Sequence, residues 1–366
     1  MMHPSPWLLF LIAGLAFADP ALPPDTRLAA LPLSAALPTD TPAKVALGRL
    51  LFFDPILSAT RDVACATCHH PRHGWADARP TPLGVHAIGI GPRRMLLNGA
   101  EFLPLRRNTP TILNTAFNGI EVGKPFDPTR SPMFWDNRVQ SLETQALAPI
   151  RTREEMRGDV CSEVEAVPAM ITRLKSNSEY VQLFQFEITA ASVTAALAAY
   201  ERTLLTPDTP FDRFMRGDKS AMTPAQQHGM QVFQKAKCTL CHNGPMLSDY
   251  RLHAIGLSDN ATNRHEFRTP TLRNLKHTAP YMHHGGSLTL DEVLLFYDRL
   301  MDQVAETLEG GDDSTLPPLD PLLRQMNMLP EDHVPIAAFL DSLNGDEYDQ
   351  SIPEKVPSGL PVASSR

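Results

Sequence analysis

Two Cys-x-x-Cys-His motifs are the residues in this sequence best suited to carry chemistry: CATCH at 65–69 and CTLCH at 238–242. The pattern is typical of covalent c-type haem attachment, in which two thiols bond to the haem vinyl groups and the histidine ligates the iron. Zinc sites usually close their cysteine pairs within about twenty residues, and a redox dithiol needs no adjacent histidine. The motifs therefore predict two haems, the first held by Cys65, Cys68 and His69 and the second by Cys238, Cys241 and His242.

A similar stretch of sequence precedes each motif. TPAKVALGRLLFF at 41–53 and TPAQQHGMQVF at 223–233 both open with Thr-Pro, which is typical of a helix N-cap followed by proline at the first helical position. In each stretch a glycine is followed four residues later by a phenylalanine, at Gly48 and Phe52 and again at Gly229 and Phe233. The duplication predicts a helix that leads into a haem-binding loop in each half of the chain.

The length of 366 residues is enough for two domains, each with its own core. Strand-like alternation is scarce, so the predicted fold class is all-α, with two cytochrome c-like helical domains that each carry one covalent haem. We place the N-terminal domain at 41–215 and the C-terminal domain at 216–350, with the boundary in TPDTPFDRFMRGDKSAMTP. Proline-rich composition predicts an extended lead-in at 19–40 and a flexible tail at 351–366.

The first 18 residues resemble a secretory signal peptide. They contain an apolar run that is too short for a comfortable membrane span and end in Ala-Phe-Ala, although no Lys or Arg precedes the run. We therefore expect a periplasmic or otherwise exported protein without a later membrane span, as suits c-type haem attachment. The net charge of −8 argues against nucleic-acid binding. Cys161, left over from the two motifs, is predicted to be a small buried side chain.

Several blocks between and after the motifs resemble the bacterial di-haem cytochrome c peroxidase superfamily, with the closer likeness to its MauG-like branch (MauG and MbnH). They follow the family's order from about residue 43 to 345, and they are RNTPTILNTAFN, MFWDNRVQSLETQALAPI, FDRFMRGD, TPTLRNLKHTAPYMHHGG and LLFYDRL. The resemblance implies an N-terminal haem open to hydrogen peroxide and a six-coordinate C-terminal haem. His69 and His242 would be their proximal ligands.

The resemblance also implies which residues act between and above the haems. The family's tryptophan that carries electrons between the haems corresponds to Trp135. Its peroxide-pocket glutamine and glutamate, spaced at ten-residue intervals, correspond to Gln145 and Glu155, with Glu154 adjacent as the alternative. A carboxylate can take a proton from one peroxide oxygen and return it to the other.

A calcium ion between the haems is a further feature of the family. By the same alignment its ligands would be the Asn108 side chain and the backbone carbonyls of Thr278 and Pro280. Calcium prefers several oxygen donors and accepts water where protein ligands are few.

Two departures from typical cytochrome c peroxidases place the chain nearer MauG. Those enzymes ligate the second haem with a methionine, but counting from TLRN puts Tyr297 at that position, with Met301 one turn further as the alternative. A tyrosinate would stabilise highly oxidised iron, whereas methionine raises the potential. Where those enzymes carry a loop histidine over the first haem, the alignment gives Ile90, with His86 close enough to substitute.

The sequence therefore predicts an enzyme that uses hydrogen peroxide to form a high-valent di-haem state. It would oxidise a residue, most readily tryptophan, on a partner protein, with kynurenine formation on a copper-binding partner as one form. One alternative is peroxide reduction with electrons from a small cytochrome or cupredoxin, and another is a non-catalytic electron-transfer cytochrome. MauG has an exit tryptophan just before the second motif, where this chain has Ala236, so that exit route does not carry over.

Overall fold

A computed structural model of the protein describes residues 27–32, 37–259, 264–308 and 319–362. The predicted signal peptide and most of the predicted lead-in lie outside these ranges. Across the ranges that are described, no helix is both long and apolar enough to cross a membrane.

Helices make up most of the regular structure. Those in the first 220 residues are α1 Pro42–Phe53, α2 Cys65–Cys68, α3 Leu142–Gln145, α4 Leu147–Arg151, a π-helical turn Arg153–Arg157, α5 Glu163–Lys175, α6 Ser178–Phe184, α7 Ala190–Glu201 and α8 Pro210–Met215. Those that follow are α9 Pro224–Lys235, α10 Leu290–Leu308 and α11 His333–Asp341. Short 3₁₀ turns connect many of these helices.

The all-α prediction needs one correction, because the described residues also form three two-stranded antiparallel ribbons. They are β1 Ala87–Ile88 with β2 Met95–Leu96, β3 Pro132–Met133 with β4 Val139–Gln140, and β5 Leu252–Asp259 with β6 Arg264–Arg268. The strands of the first two ribbons are only two residues long, so the sequence shows little alternation of apolar and polar residues there. The third carries a register irregularity between Ala254 and Asp259, which interrupts its pattern.

The duplicated helices begin where the Thr-Pro pairs predict. The Thr41 hydroxyl accepts from the Lys44 backbone N–H in α1, and the Thr223 hydroxyl accepts from the Gln226 N–H in α9. α1 packs against α7, and α9 packs against α11. The two halves of the chain are thus built on the same helix pair.

The glycine in each duplicated helix lies at a close approach to the backbone of the partner helix. A Cβ atom on Gly48 would lie 1.8 Å from the Ala196 carbonyl oxygen, and one on Gly229 would lie 1.9 Å from the Pro335 carbonyl oxygen. Each phenylalanine one turn later is buried in the core of its own domain. The repeated Gly-x-x-x-Phe spacing is therefore a packing signature.

The first and the last described segments of the chain pack on opposite domains. Leu28 is buried in the C-terminal core, whereas Val356 and Val362 are buried in the N-terminal core. The Ser358 hydroxyl donates to the Asp54 carboxylate at 2.6 Å. The prediction of a flexible tail is therefore wrong for residues 351–362.

The predicted domain boundary also needs adjustment. Phe211 and Phe214 of α8, which the prediction assigned to the N-terminal domain, pack in the C-terminal core. Asp212 in the same helix forms a fully buried, bidentate ion pair with Arg273, at 2.8 Å for each contact. Helix α8 therefore belongs structurally with the C-terminal domain.

Replacement of either helix-contact glycine should destabilise the protein. In Gly48→Ala and Gly229→Ala the new methyl group meets a backbone carbonyl, so the helices must separate, and we expect a loss of about 1–3 kcal/mol in each. Urea unfolding would measure it. Ala46→Val, on the exposed side of α1, is the control and should cost only a few tenths of a kcal/mol. Equal stability of the control and the glycine variants would contradict the proposed packing.

Candidate functional site

A cavity of about 650 Å³ lies in the N-terminal domain and contains the first motif. The residues predicted for the first haem and its peroxide pocket all line it: Cys65, Cys68, His69, Trp135, Gln145, Glu154 and Glu155. The structure therefore brings together residues that lie up to 90 positions apart in the sequence.

Local structure presents the first motif in a form that suits a haem. Cys65 and Cys68 begin and end the single turn α2 and are not in a disulfide. The His69 Nδ1 lies 3.1 Å from the Trp75 carbonyl oxygen, which leaves Nε2 for a metal. Burial lowers the pKa of His69 to about 4, so the imidazole is held in the neutral form that ligates iron.

A second cavity, in the C-terminal domain, repeats this arrangement. It is lined by Cys238, Cys241, His242 and Tyr297. The His242 Nδ1 lies 3.1 Å from the Leu247 carbonyl oxygen, and burial lowers the pKa of this imidazole as well. Both sets of thiols and imidazole therefore fit covalent haem attachment.

A Thr-Pro-Thr segment in each domain braces the backbone that orients the motif histidine. The Cys-x-x-Cys-His motifs alone did not indicate this role. The Thr111 hydroxyl donates to the Gly74 carbonyl at 2.6 Å, next to the residue that holds His69. The Thr271 hydroxyl donates to the Met246 carbonyl at 2.7 Å, next to the residue that holds His242. The signal was present as TPTxxN at 109–114 and again at 269–274.

Tyr297 lies on α10 and lines the second cavity. Met301, the alternative ligand, does not line this cavity. It packs against two hydrophobic clusters of the C-terminal domain. Burial raises the pKa of the Tyr297 phenol, and the nearby Cys241 thiol adds to the effect. Three methionines that the sequence reasoning did not consider also line the cavity, from outside α10: Met282, Met326 and Met328.

Glu155, on the wall of the first cavity, has a strongly perturbed pKa. Burial raises the pKa of Glu155 to about 7, with Arg138 opposing the shift and Glu154 adding to it. The backbone that carries these glutamates is held closely, because a Cβ on Gly84 would lie 2.0 Å from the Glu154 carbonyl oxygen. A carboxyl that ionises near neutral pH can exchange protons with a bound substrate.

Glu201 is a lining residue of the first cavity that sequence reasoning missed. It ends α7 and is buried, and burial raises its pKa to about 8. The available signal was a single acidic residue at the end of the otherwise apolar stretch AALAAYE.

Neither residue proposed to lie over the first haem lines the cavity. The His86 Nε2 atom is 3.9 Å from a Cβ built on Gly158, and Ile90 precedes a 3₁₀ turn. Residues 101–107 line the cavity instead, and His69 is the one imidazole among the described lining residues. Arg94 fixes the conformation of the 83–94 loop by donating to backbone carbonyls within it, including those of Leu83 at 2.6 Å and Gly89 at 2.9 Å.

Trp135 lines both cavities and therefore lies in the wall between them. Its indole Nε1 donates to the Asn108 carbonyl oxygen at 2.9 Å. Asn108, Thr109, Pro110 and Arg268 belong to the same shared wall. The position is the one expected of a side chain that carries electrons between two cofactors.

The three residues predicted to bind calcium line the second cavity together: Asn108, Thr278 and Pro280. The Asn108 Nδ2 donates to the Arg79 carbonyl at 2.8 Å, which leaves its Oδ1 as the oxygen for a cation. The donor set, one side-chain oxygen and backbone carbonyls, fits the chemistry of calcium.

The remaining predicted positions lie away from both cavities. Cys161 is half-buried against the N-terminal core and is not in a disulfide. Ala236, which stands where MauG has its exit tryptophan, is buried in the C-terminal core.

Two motif-bearing cavities in a helical fold, one with acid-base groups at its wall, define a c-type haem protein of the peroxidase class. A family model for di-haem cytochrome c peroxidases matches residues 42–220. The methylamine utilization protein MauG of Methylorubrum extorquens is 34% identical over 334 residues, which cover 86% of this chain and 82% of that protein. The chain belongs to the di-haem cytochrome c peroxidase and MauG family and is a peroxidase-type oxidoreductase.

Other relatives extend the likeness to both branches of the family. Cytochrome c551 peroxidase of Nitrosomonas europaea is 30% identical over 329 residues, which cover 85% of this chain and 83% of the relative. A crystal structure of a MauG-like protein associated with microbial copper homeostasis shares the fold, with a TM-score of 0.63 at 22% identity. The match covers 90% of this chain and 95% of that one.

Replacement of Glu155 should slow the reaction with peroxide. We expect about a 100-fold loss in Glu155→Gln at unchanged haem content, because the amide cannot take up the proton. In the wild type the rate should rise as the pH increases through about 7, where the carboxyl ionises, and the variant should lack this rise. Stopped-flow spectroscopy would measure both. A wild-type rate in the variant would direct attention to Glu154, for which Glu154→Gln is the matched comparison.

Replacement of Tyr297 should alter the second haem only. If Tyr297 ligates the iron, Tyr297→His would exchange an oxygen donor for a nitrogen donor, and the optical and EPR spectra of the low-spin haem should change. Met301→Leu, on the same helix but outside the cavity, should leave them unaltered. Unchanged spectra in Tyr297→His would show that the ligand comes from elsewhere, with Met282, Met326 and Met328 as the residues to replace next.

Proposed function

We propose that this peroxidase-type enzyme acts in the MauG-like manner, using hydrogen peroxide to oxidise a residue, most readily tryptophan, on a partner protein. The observation that carries the proposal is Tyr297 on the wall of the second cavity, at the position where cytochrome-coupled relatives use methionine. An anionic oxygen ligand favours storage of oxidising equivalents over relay of electrons at high potential.

The two haems supply the redox chemistry when bound, and the protein side chains divide the remaining work. In the first cavity Glu155 takes a proton from the proximal peroxide oxygen and returns it to the departing oxygen, while Gln145 lines the same pocket. His69 is the one imidazole among the described residues that line this cavity, so no second histidine there would compete with peroxide for the iron. Trp135 then connects the two cavities.

The proposal extends to the setting of the enzyme. We propose that residues 1–18 direct export to the periplasm, where c-type haem is attached, and that calcium binds at Asn108, Thr278 and Pro280. Calcium there would stiffen the wall that carries Trp135, because Asn108 also accepts the indole hydrogen bond.

Kynurenine formation on a copper-binding partner is the form of the reaction that we favour. The exit tryptophan of MauG is replaced by the buried Ala236, so holes must leave by another route and the MauG substrate does not carry over.

Reduction of peroxide with electrons from a small cytochrome or cupredoxin is the second proposal. Two observations favour it: the absence of the MauG exit tryptophan, and the three methionines that line the second cavity as possible ligands. A non-catalytic electron-transfer role is disfavoured, because it offers no use for Gln145 and Glu155 in the first cavity.

The two proposals predict opposite behaviour with peroxide. If the enzyme oxidises a partner, peroxide alone should give a long-lived oxidised protein without prior reduction. Adding the exported protein fraction of the source organism should then discharge it and leave added oxygen or lost hydrogen on one aromatic residue, detected by mass spectrometry. Trp135→Phe should reduce the yield of that modification at unchanged haem content.

The peroxidase alternative is tested by measuring peroxide turnover with reduced cytochrome or cupredoxin as the electron donor. Fast oxidation of the donor that depends on prior reduction, with no modified aromatic residue in the protein fraction, would contradict the MauG-like proposal and support the peroxidase.

A further inference from the structure

Arg268 is a buried cation that has no carboxylate partner of its own among the described residues. It ends β6 and is only 8% exposed, yet it has no ion pair among the described residues. One of its guanidinium nitrogens, Nη1, donates to the Pro132 carbonyl at 2.8 Å. The buried Nε hydrogen has no acceptor among the described residues.

The carboxylate that acts on Arg268 is already engaged. Asp136 attracts the guanidinium, but its two oxygens each accept a 2.8 Å bond, one from Arg107 and the other from Arg138. A buried charge with an unused donor is costly unless an anion meets it. The Tyr250 ring lies 5.6 Å from the guanidinium carbon, but no described residue provides a carboxylate of its own for Arg268.

The position of Arg268 indicates where the anion comes from. The residue lines both the first and the second cavity, in the wall that also contains Trp135. Each haem that binds by its vinyl groups brings two propionate carboxylates into its cavity, and a guanidinium binds carboxylates with particularly good geometry.

We propose that Arg268 binds a haem propionate through its guanidinium group in the wall between the two cavities. The proposal rests on haem binding, which the family implies, and not on the identity of the oxidised partner. The complex would complete a buried ion pair that the polypeptide leaves half-formed.

The same residue holds the loop that carries Trp135. The Arg268 backbone N–H donates to the Trp135 carbonyl at 2.7 Å, and the guanidinium holds Pro132 three residues earlier. A propionate on Arg268 would therefore link a haem to the tryptophan loop through one side chain. Haem insertion would then help to fix the bridge between the cofactors.

The test uses three variants of the full-length holoprotein in its resting ferric state. Arg268→Gln removes the charge, and Arg268→Lys keeps the charge but removes the planar guanidinium. Arg251→Gln, which removes an exposed arginine at the edge of β5, is the matched control. The measurements are haem content, the reduction potential of each haem, and the propionate bending bands in the resonance Raman spectrum.

In Arg268→Gln we expect a lower reduction potential for one haem, because losing a nearby positive charge favours the ferric state. That potential should also become pH-dependent near neutral pH, since a propionate without its cation takes up a proton more easily. Arg268→Lys should shift the propionate bands with a smaller change in potential. Arg251→Gln should change neither, and the haem whose potential moves is the one that supplies the propionate.

Arg268→Gln with full haem content, wild-type potentials and unchanged propionate bands would overturn the proposal and leave Arg268 as a loop support only. If Arg268→Gln fails to mature, unchanged bands in Arg268→Lys would overturn it equally. If the ion pair is needed to hold one haem, both variants should lose that haem. They should retain the other haem and show unaltered thermal unfolding. None of these readouts requires peroxide or a partner, so they are independent of the test of the proposed function.

Discussion

One hydroxyl group, that of Thr206, joins the two halves of the molecule. It accepts hydrogen bonds from the side-chain amides of Asn114, at 2.7 Å, and of Asn274, at 3.0 Å, and all three residues are buried. Both asparagines adopt left-handed backbone conformations, which asparagine tolerates better than most residues. Because each asparagine closes a Thr-Pro-Thr segment that supports a proximal histidine, this junction sets the spacing between the two haem-binding loops.

The duplicated framework carries two different sites, and the difference lies in a few side chains. Both cavities present two thiols and a neutral imidazole, held by equivalent backbone carbonyls. The first adds a carboxyl that ionises near neutral pH, Glu155, which suits proton transfer to a substrate. The second adds the phenol of Tyr297, which has no such role but can occupy an iron coordination position.

The features predictable from sequence were those with local signatures. Covalent attachment requires fixed spacing, so the two Cys-x-x-Cys-His motifs were evident, and the Thr-Pro caps and helix glycines follow from local backbone chemistry. Features that depend on long-range contact were less accessible. The loop with His86 and Ile90 was placed over the cavity by alignment, but neither residue lines it, and Arg94 fixes the loop through backbone carbonyls that no sequence pattern reveals. The tail at 351–362 lacks helical or strand periodicity, so its burial depends on pockets that exist only in the folded domain.

The first and last described segments of the chain form further connections between the two domains. The lead-in reaches the C-terminal domain, where the Leu31 backbone N–H donates to Asp212, the partner of the buried Arg273. The segment that leads into the tail reaches the N-terminal domain, where the Asp349 carbonyl accepts from the indole of Trp75, whose own carbonyl orients His69. Separation of the domains would break both connections in addition to the Thr206 junction. Trp135 can bridge two cofactors only while the two cavities keep a constant separation, and the hydrogen bonds at Thr206 and at the first and last described segments help to maintain it.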